Sequence, residues 1–279
     1  MTRNSFALGR RRLASLALLA ILGASLVGPA FVTAADLSVA PATITAEEAH
    51  MVTLLNADRA TLGLVSVRVD LRLMAIARAR SADMVAKNYF SHTQPDGRNV
   101  FDILTASRIA WYSAGEIIAW NNFPMDVSAS TANHQWLNSP GHYAIIVSTN
   151  FNYVGVGLAV DPATGKKLWT AVYLKGPDRT GARATLAKPS IGSSTATTRR
   201  VTLSWTGSDV RLQVLTAGLR SFVLQRKVDN GAWTTISSST TYRSFALAVA
   251  KGHLTQFRVA ARDRAGNRGS WSTATVDLR

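Results

Sequence analysis

Two histidines and one glutamate are the residues of this chain whose types and surroundings best suit them to chemistry. His92, Glu116 and His142 each lie in a short phrase that contains glycine or proline, and the 279 residues include only five histidines. Histidine titrates near neutral pH and is the most common metal ligand in proteins. Because glycine and proline favour turns, the sequence predicts that loops display these three side chains.

Three roles are open to this set of side chains. Two imidazoles and one carboxylate can hold Zn²⁺ with water in the fourth position, and such binding would weaken below about pH 6 as the imidazoles gain protons. Alternatively, a Glu–His pair can act as general acid and base. The third possibility is a hydrogen-bonded cluster that ties three loops together. A thiol nucleophile is excluded because the chain has no cysteine, and the Gly-x-Ser-x-Gly phrase of serine hydrolases is missing.

Further side chains near these phrases are candidates for the lining of a cleft. They are polar or aromatic, and such aromatic residues either stack on a ligand or belong to the core. The candidates are His134, Trp111, Tyr112, Trp120 and Ser139.

The first 35 residues resemble a secretory signal peptide. Four arginines precede an uncharged apolar run over residues 13–27, and small residues follow at Thr33, Ala34 and Ala35. The sequence therefore predicts cleavage after Ala34 or Ala35 and a secreted, extracellular protein. An uncleaved signal that anchors the chain in a membrane is the alternative. Without cysteine, an exported protein has no disulfides and is held together by packing alone.

Positive charge is concentrated at the C-terminal end of the chain. The net charge is +15, and residues 199–279 contribute +9 of it, from 13 Lys and Arg against four Asp. A basic exported domain can bind anionic wall polymers or lipid head groups, or it can simply carry a well-solvated surface. Nucleic acid is not the expected partner of an extracellular protein.

Helical periodicity gives way to strand signals within residues 45–176. Thr45 and Asp70 are predicted to be the N-caps of the first two helices. A third helix is predicted over 100–107, with Phe101 and Leu104 facing inward. A fourth is predicted to run to Leu137 and to be ended by Pro140-Gly141. Alternating residues over 153–160 and 168–173 flank the turn 161–165 and predict an antiparallel hairpin. Helices followed by a hairpin indicate an α+β domain.

A polar linker and an all-β domain are predicted for the remaining residues. Residues 177–198 are rich in Gly, Pro, Ser and Thr, which is typical of a linker. Short alternating segments separated by turns, including Asp229-Asn230-Gly231 and the turn 263–267, fill residues 199–279. This spacing predicts an immunoglobulin-like β-sandwich.

The phrases of the first domain, taken in order, resemble the bacterial branch of the CAP superfamily, also called SCP domains. The resemblance covers about residues 48–175. It rests on Leu54-Leu55-Asn56-Ala57-Asp58-Arg59, Ser81-Ala82-Asp83-Met84, Tyr89-Phe90-Ser91-His92-Thr93, Pro95-Asp96-Gly97-Arg98, Ala114-Gly115-Glu116, Trp136-Leu137-Asn138-Ser139-Pro140-Gly141-His142 and Val154-Gly155-Val156-Gly157.

The resemblance implies a secreted α–β–α sandwich with a cleft lined by two histidines and two acidic residues. His92, Glu116 and His142 match three of these positions, and Ser139 stands where better-preserved members have a second glutamate. Ile117 and the apolar stretch 143–146 replace residues that are polar in the family. Because polar neighbours orient ligating histidines, this implies a degenerate site.

The C-terminal segment resembles a bacterial fibronectin type III-like module. The phrases that carry this resemblance are Leu203-Ser204-Trp205, Gly231-Ala232-Trp233-Thr234, Phe257-Arg258-Val259 and Asp263-Arg264-Ala265-Gly266-Asn267.

Three functional hypotheses follow. The first is a secreted binding protein whose cleft holds a cell-envelope glycan or lipid, or a metal ion such as Zn²⁺, and whose basic domain attaches it to the envelope. The second is a metal-dependent extracellular hydrolase that uses His92, Glu116 and His142. The third is an adhesion or spacer protein without catalysis. The apolar replacements near the site favour the first hypothesis, and a binding protein is expected rather than an enzyme.

Overall fold

A computed structural model describes residues 43–279, so the predicted signal segment 1–35 lies outside the described residues. Within 43–279 the chain forms five helices and twelve strands. The helices are α1 (Ala46–Thr61), α2 (Leu71–Ala86), α3 (Val100–Ala106), α4 (Met125–Leu137) and α5 (Pro140–Ile146). Across this described part of the chain, no helix is both long and apolar enough to cross a membrane.

The first two helices begin where the sequence predicts. The Thr45 hydroxyl accepts from the Glu48 backbone N–H while the Glu48 carboxylate accepts from the Thr45 N–H, which is a complete capping box. The Asp70 side chain accepts from the Arg72 N–H at the start of α2. These local hydrogen bonds satisfy backbone donors that a helix N-terminus leaves without partners.

The sheet of the first domain has four strands in the order β1-β3-β4-β2. The strands are β1 (Arg68–Val69), β2 (Ser113–Asn121), β3 (Tyr153–Val160) and β4 (Lys167–Lys175). β3 and β4 pair antiparallel as the predicted hairpin, and β2 adds to the free side of β4. The loop prediction for Glu116 is wrong, because Glu116 lies on the edge strand β2 opposite Val172.

Helices cover both faces of this sheet. Ala171 and Tyr173 pack in one cluster with residues of α1, α4 and α5. Val172 and Leu174 alternate with them and pack with residues of α2 and α3 on the other face. The fold is therefore mixed, with an α–β–α layer order.

Helix α2 lies unusually close to β3 because two glycines remove side chains at the contact. A Cβ at Gly155 would lie 2.1 Å from the backbone carbon of Leu73, and one at Gly157 would lie 2.1 Å from the Arg78 nitrogen. This close packing fixes α2, and therefore every side chain that α2 contributes to the site, against the sheet.

The third helix differs in part from the prediction. Leu104 is fully buried, as expected, but Phe101 is 41% exposed. Phe101 packs on Trp111 with ring centroids 6.0 Å apart, so its ring covers the outside of the domain.

Two sheets form the second domain. One has the order β10-β7-β5, with β6 also paired to β7, and the other has the order β12-β11-β8-β9. Trp205 and Phe222, one from each sheet, meet edge to face at 6.0 Å inside the shared core. The strands are β5 (Arg183–Leu186), β6 (Ser190–Ser194), β7 (Thr198–Ser208), β8 (Leu219–Val228), β9 (Thr234–Thr240), β10 (Ser244–Ala250), β11 (Leu254–Asp263) and β12 (Ser272–Asp277). This arrangement is a β-sandwich.

The predicted linker 177–198 contributes strands to this sandwich. β5 and β6 both pair antiparallel with β7, and Leu186, opposite Trp205, belongs to the core. The polar composition of β5 and β6 gave no strand signal. A strand that pairs with an existing strand does not need an alternating apolar pattern. The outer boundaries of the two domains stay predictions from the sequence.

A loop of the second domain, residues 209–218, docks into the first domain. Leu212 is 2% exposed and packs in the cluster of α2 and α3 residues. The neighbouring Gln213 side chain accepts from the Val65 N–H at 2.7 Å. The Asn152 amide also donates to the carbonyl of Val214 at 3.2 Å. The two domains therefore share part of one core.

Candidate functional site

His92 lies in the loop between α2 and α3. The Gln94 N–H donates to the Arg98 carbonyl at 2.7 Å, and Gly97 has φ +87°, a conformation that favours glycine. This tight turn holds the His92 side chain at the surface, where it is 52% exposed. The prediction that a loop displays His92 is confirmed by this geometry.

Glu116 lies beside His92 but is buried. Its side chain is 3% exposed on β2, and its Oε2 accepts from Nδ1 of His92 at 2.8 Å. Gly115 precedes it without a side chain, and a Cβ there would come within 3.3 Å of Ile145. The edge strand thus brings the carboxylate against the histidine loop.

Arg80 is a further member of this group that the sequence-based prediction did not include. It lies on α2 with no exposed side-chain surface, and its Nε donates to Oε1 of Glu116 at 2.8 Å. Its Nη2 also donates to the carbonyls of Ser91 and His92, at 2.9 and 3.1 Å. One guanidinium group therefore fixes both the carboxylate and the histidine loop.

Two further polar side chains, Tyr89 and Asp83, help to fix the position of Arg80. Its Nη1 donates to the Tyr89 hydroxyl at 2.7 Å, and that hydroxyl donates to Asp83 at 2.6 Å. Burial lowers the pKa of Arg80, but the hydrogen bond and charge of Glu116 outweigh burial and leave that pKa raised. Burial and the Asp83 hydrogen bond raise the pKa of Tyr89 to about 12. Arg80 thus stays charged and Tyr89 stays protonated at physiological pH.

His142 reaches this group from helix α5. It lies in the first turn of α5, which begins at Pro140, so the prediction of a loop at Pro140-Gly141 is wrong. Proline suits the first turn of a helix because no intrahelical partner exists there for a backbone N–H. The His92 and His142 ring centroids are 6.2 Å apart, with the ring planes at 60°.

The three predicted residues therefore converge, but their contacts do not form a ready zinc site. Both oxygens of Glu116 already accept hydrogen bonds, from Arg80 and from His92. Nδ1 of His92 is likewise occupied, by its hydrogen bond to Glu116. A three-ligand zinc site needs a carboxylate oxygen and imidazole nitrogens turned toward one point. Here a buried guanidinium neutralises the carboxylate instead.

An open groove of about 500 Å³ runs beside His142. Three partly exposed aromatic rings line it, together with side chains that can donate or accept hydrogen bonds. The rings are Phe90, Trp120 and Phe123, and the polar lining includes Asn122, Gln135, Ser139 and His142. The fully buried Trp136 also lines the groove, and its indole N–H has no hydrogen-bond partner among residues 43–279.

The predicted cleft-lining residues divide into two groups. Trp120 and Ser139 line the groove, and the Lys166 ammonium lies 4.3 Å from the centre of the Trp120 ring. His134, Trp111 and Tyr112 lie elsewhere. His134 is exposed on α4 beside Asn138, Trp111 packs on Phe101, and Tyr112 is 64% exposed to solvent. Trp111 and Tyr112 precede β2, so their proximity in sequence to Glu116 does not bring them to the groove.

A separate group of three carboxylates joins the segment that follows β4 to loops of the second domain. Oxygens of Asp178, Asp209 and Asp263 lie within 4.8 Å of one another. Each carboxylate accepts from loop backbone N–H groups, such as those of Ala217 and Gly218. These hydrogen bonds explain why the three carboxylates lie together: they hold the surrounding loops in place. Burial raises the pKa of Asp209, and the N–H donors only partly offset it.

His142 gives the site a defined pH dependence. Burial, and to a lesser extent repulsion from His92, lower the pKa of His142 from 6.5. Between that lowered pKa and 6.5 the folded state binds fewer protons than the unfolded state. Its contribution to stability is therefore present above pH 6.5 and is lost as the pH falls through this window.

We therefore expect urea unfolding of the unchanged protein to lose more stability between about pH 7.5 and about pH 5 than that of the His142→Asn variant. Histidines that do not contact His142 contribute equally to both proteins, so the difference between the two pH profiles reports His142 together with its repulsion from His92. Parallel profiles would contradict this assignment.

Known proteins are similar to this chain over its first domain. Residues 52–173 match the model of CAP, the cysteine-rich secretory protein family. The uncharacterized protein YkwD of Bacillus subtilis (strain 168) is 35% identical over 136 residues, which make up 48% of this chain and 49% of that protein. The uncharacterized membrane protein YlbC of the same organism is 30% identical over 131 residues, 47% of this chain and 35% of that protein.

Solved structures give matches of similar extent. An extracellular protein containing a SCP domain from Bacillus anthracis str. Ames has 28% identity and a TM-score of 0.41, with 46% of this chain and 40% of that chain covered. An outer surface protein from Borrelia burgdorferi has 16% identity and a TM-score of 0.42, with 47% and 92% covered. This chain spans half or less of the length of the two curated relatives and of the Bacillus anthracis protein. By the match to the family model, residues 52–173, which include β2, α2 and α5, form a CAP (SCP) domain.

Proposed function

We propose that this protein is a secreted binding protein that holds a cell-envelope glycan in the groove beside His142 and attaches to the envelope through its second domain. The observation that carries the proposal is the groove itself, where three partly exposed rings lie among amide and hydroxyl groups. Aromatic faces pack on the apolar faces of sugars, and neighbouring polar groups satisfy the hydroxyls.

The polar lining favours a glycan over a lipid. Asn122, Gln135 and Ser139 line the groove together with the rings, and His142 adds an imidazole. A lipid chain in contact with these groups would leave them without hydrogen-bond partners, which costs free energy. A sugar ring offers hydroxyls to the same groups. It can therefore pack on the aromatic rings and form hydrogen bonds with the amides at the same time.

The Arg80–Glu116 pair argues for binding rather than catalysis. A general base or metal ligand must be free to accept a proton or a cation, and the Glu116 oxygens are already engaged by Arg80 and His92. The geometry supports a structural role in which the buried pair holds the histidine loop and β2 together at the groove.

A metal-dependent hydrolase that uses His92, Glu116 and His142 is the alternative proposal. Calorimetry with Zn²⁺ at about pH 5 and about pH 7.5 tests it, because imidazole ligands must be neutral. A binding heat that grows with pH and disappears in His92→Ala would favour this alternative. The contacts of Glu116 lead us to expect no such heat.

The second domain completes the proposal as an attachment module of the fibronectin type III-like type. Its two-sheet arrangement and its net charge of +9 over residues 199–279 support this role. Anionic polymers and head groups are abundant in cell envelopes, and a basic surface concentrates a protein near them.

Replacing Trp120 by alanine tests the groove. Trp120 is 43% exposed and lines the groove, so its loss is expected to weaken binding of soluble peptidoglycan fragments by about 10-fold in titration calorimetry. The matched control is Tyr112→Ala, which removes a 64% exposed ring outside the groove and should leave the affinity unchanged. Equal losses in both variants, or no binding to the unchanged protein, would count against the proposal. Binding confined to residues 199–279 would instead favour an adhesion or spacer protein.

A further inference from the structure

One face of the second domain carries a stack of aromatic rings and guanidinium groups. The Arg258 guanidinium lies 4.1 Å from the centre of the Trp233 ring and 4.2 Å from the centre of the Trp271 ring. Arg268 lies over the same Trp271 ring at 4.6 Å. Gln225 accepts from Nε and Nη2 of Arg258, at 2.8 and 2.6 Å. These contacts fix the position of Arg258 and help to fix that of Arg268.

Strand register places further cations on the same face. Along β11, Arg258 and Arg262 alternate with Val259 and Ala261, which belong to the core, so both arginines point outward. Lys227 on β8 lies opposite Gln256, two residues before Arg258 on the same face. Arg262 also pairs with Arg268 through an isolated bridge. We call the surface formed by Lys227, Arg258, Arg262 and Arg268 the arginine face.

No carboxylate neutralises the arginine face. Among residues 43–279, none of its four cations takes part in an ion pair. Each of the four aspartates of residues 199–279 is engaged by a partner outside this group of cations. Asp209 and Asp263 accept from loop donors, Asp229 bonds His253, and Asp277 pairs with Arg279.

The side chains between the cations are hydroxyl and amide groups. Thr273 lies opposite Arg258, Thr275 lies opposite Gln256, and Gln225 lies between Arg258 and Thr235 in the sheet. Hydroxyl and amide groups at this spacing can exchange hydrogen bonds with a hydroxyl-rich polymer.

We infer that the arginine face binds an anionic polysaccharide, whose carboxylates meet the cations and whose hydroxyls meet the threonine and glutamine side chains. The inference deepens the attachment role proposed above and rests on it. Four unpaired cations on a sheet face where Asp277 is already paired with Arg279 match a polymer with regularly spaced negative charges.

Two other polyanions fit this face less well. A membrane surface favours exposed apolar side chains that insert beside the cations, but Trp233 and Trp271 lie under guanidinium groups and neither is among the strongly exposed hydrophobic residues. Single-stranded nucleic acid binds through bases stacked on free aromatic rings, and the Trp271 ring already contacts two guanidinium groups.

The test measures binding of the full secreted chain to polygalacturonate, a carboxylated polysaccharide, with neutral dextran as the uncharged comparison. We expect binding to polygalacturonate alone, and weaker binding at about 300 mM salt than at about 50 mM, since salt screens these charges. The triple variant Lys227→Gln, Arg262→Gln, Arg268→Gln should bind at least about 10-fold more weakly at the lower salt concentration. Arg258 is kept so that the Trp233 contact survives.

The matched control removes three positive charges from other parts of the same domain. Arg183, Arg200 and Arg211 are exposed on β5, on β7 and in the docking loop, and their replacement by glutamine changes the net charge equally. This control should retain affinity within about 3-fold. A second variant, Lys227→Gln with Arg262→Gln, leaves both guanidinium stacks intact and should still lose affinity if the triple variant proves unstable.

Three results would overturn the inference: no binding to polygalacturonate, equal losses in the triple variant and its control, or tighter binding to phosphatidylglycerol vesicles or duplex DNA. The Trp120→Ala variant should bind polygalacturonate as the unchanged protein does. Failure of the groove proposal and failure of this inference are therefore separate outcomes.

Discussion

Replacing Arg80 by methionine is expected to destabilise the protein by about 3–5 kcal/mol, because it leaves the Glu116 carboxylate buried without its cation. Both side chains are almost completely excluded from solvent, at 0% and 3% exposure. The loss also frees the carbonyls of Ser91 and His92 from their donor. Urea unfolding at pH 7 measures the change in the free energy of unfolding.

A double variant separates the ion pair from simple loss of packing. Adding Glu116→Leu to Arg80→Met replaces the pair with two apolar side chains and removes the unpaired charge, so the double variant should be more stable than Arg80→Met alone. If the double variant is instead less stable than the single one, burial of an uncompensated carboxylate is not the cause.

Replacing Leu212 by alanine is expected to cost about 2–4 kcal/mol. Leu212 belongs to the second domain by sequence, but it is 2% exposed and packs among α2 and α3 residues of the first domain. The cavity left by the missing methyl groups would lie in the core that also supports α2, which carries Arg80. Thermal or urea unfolding of the full chain measures the loss.

Leu215 provides the matched control in the same loop. It is 41% exposed, so the Leu215→Ala variant removes the same atoms from a solvated position and should change stability by less than about 0.5 kcal/mol. Similar losses in both variants would show that the loop acts through its own conformation rather than by docking Leu212.

The sequence predicted the elements whose signals are local. Thr45 and Asp70 cap their helices by hydrogen bonds to residues two or three positions away, so the chemistry of the cap is visible in the sequence. The hairpin of β3 and β4 likewise follows from alternation around one turn. The convergence of His92, Glu116 and His142 was expected only through the resemblance to a family.

The arrangement around Glu116 depends on contacts that are distant in sequence. The sequence predicts a loop around Glu116 because Gly115 is a turn signal, yet in β2 this glycine makes room for Ile145 and Phe151. Arg80 has the spacing of a buried position, since it follows Leu73 and Ala77 along one face of α2 and precedes Met84. A charged residue within that apolar stripe was the available signal for a buried ion pair.

The most direct test of glycan binding in the groove is nuclear magnetic resonance of the indole N–H groups. The chain has seven tryptophans, of which Trp120 and Trp136 line the groove, whereas Trp233 and Trp271 lie on the arginine face. Addition of soluble peptidoglycan fragments should shift the signals of Trp120 and Trp136 and leave those of Trp233 and Trp271 in place. Saturating fragments that move neither groove signal, or only the two signals of the arginine face, would contradict the account.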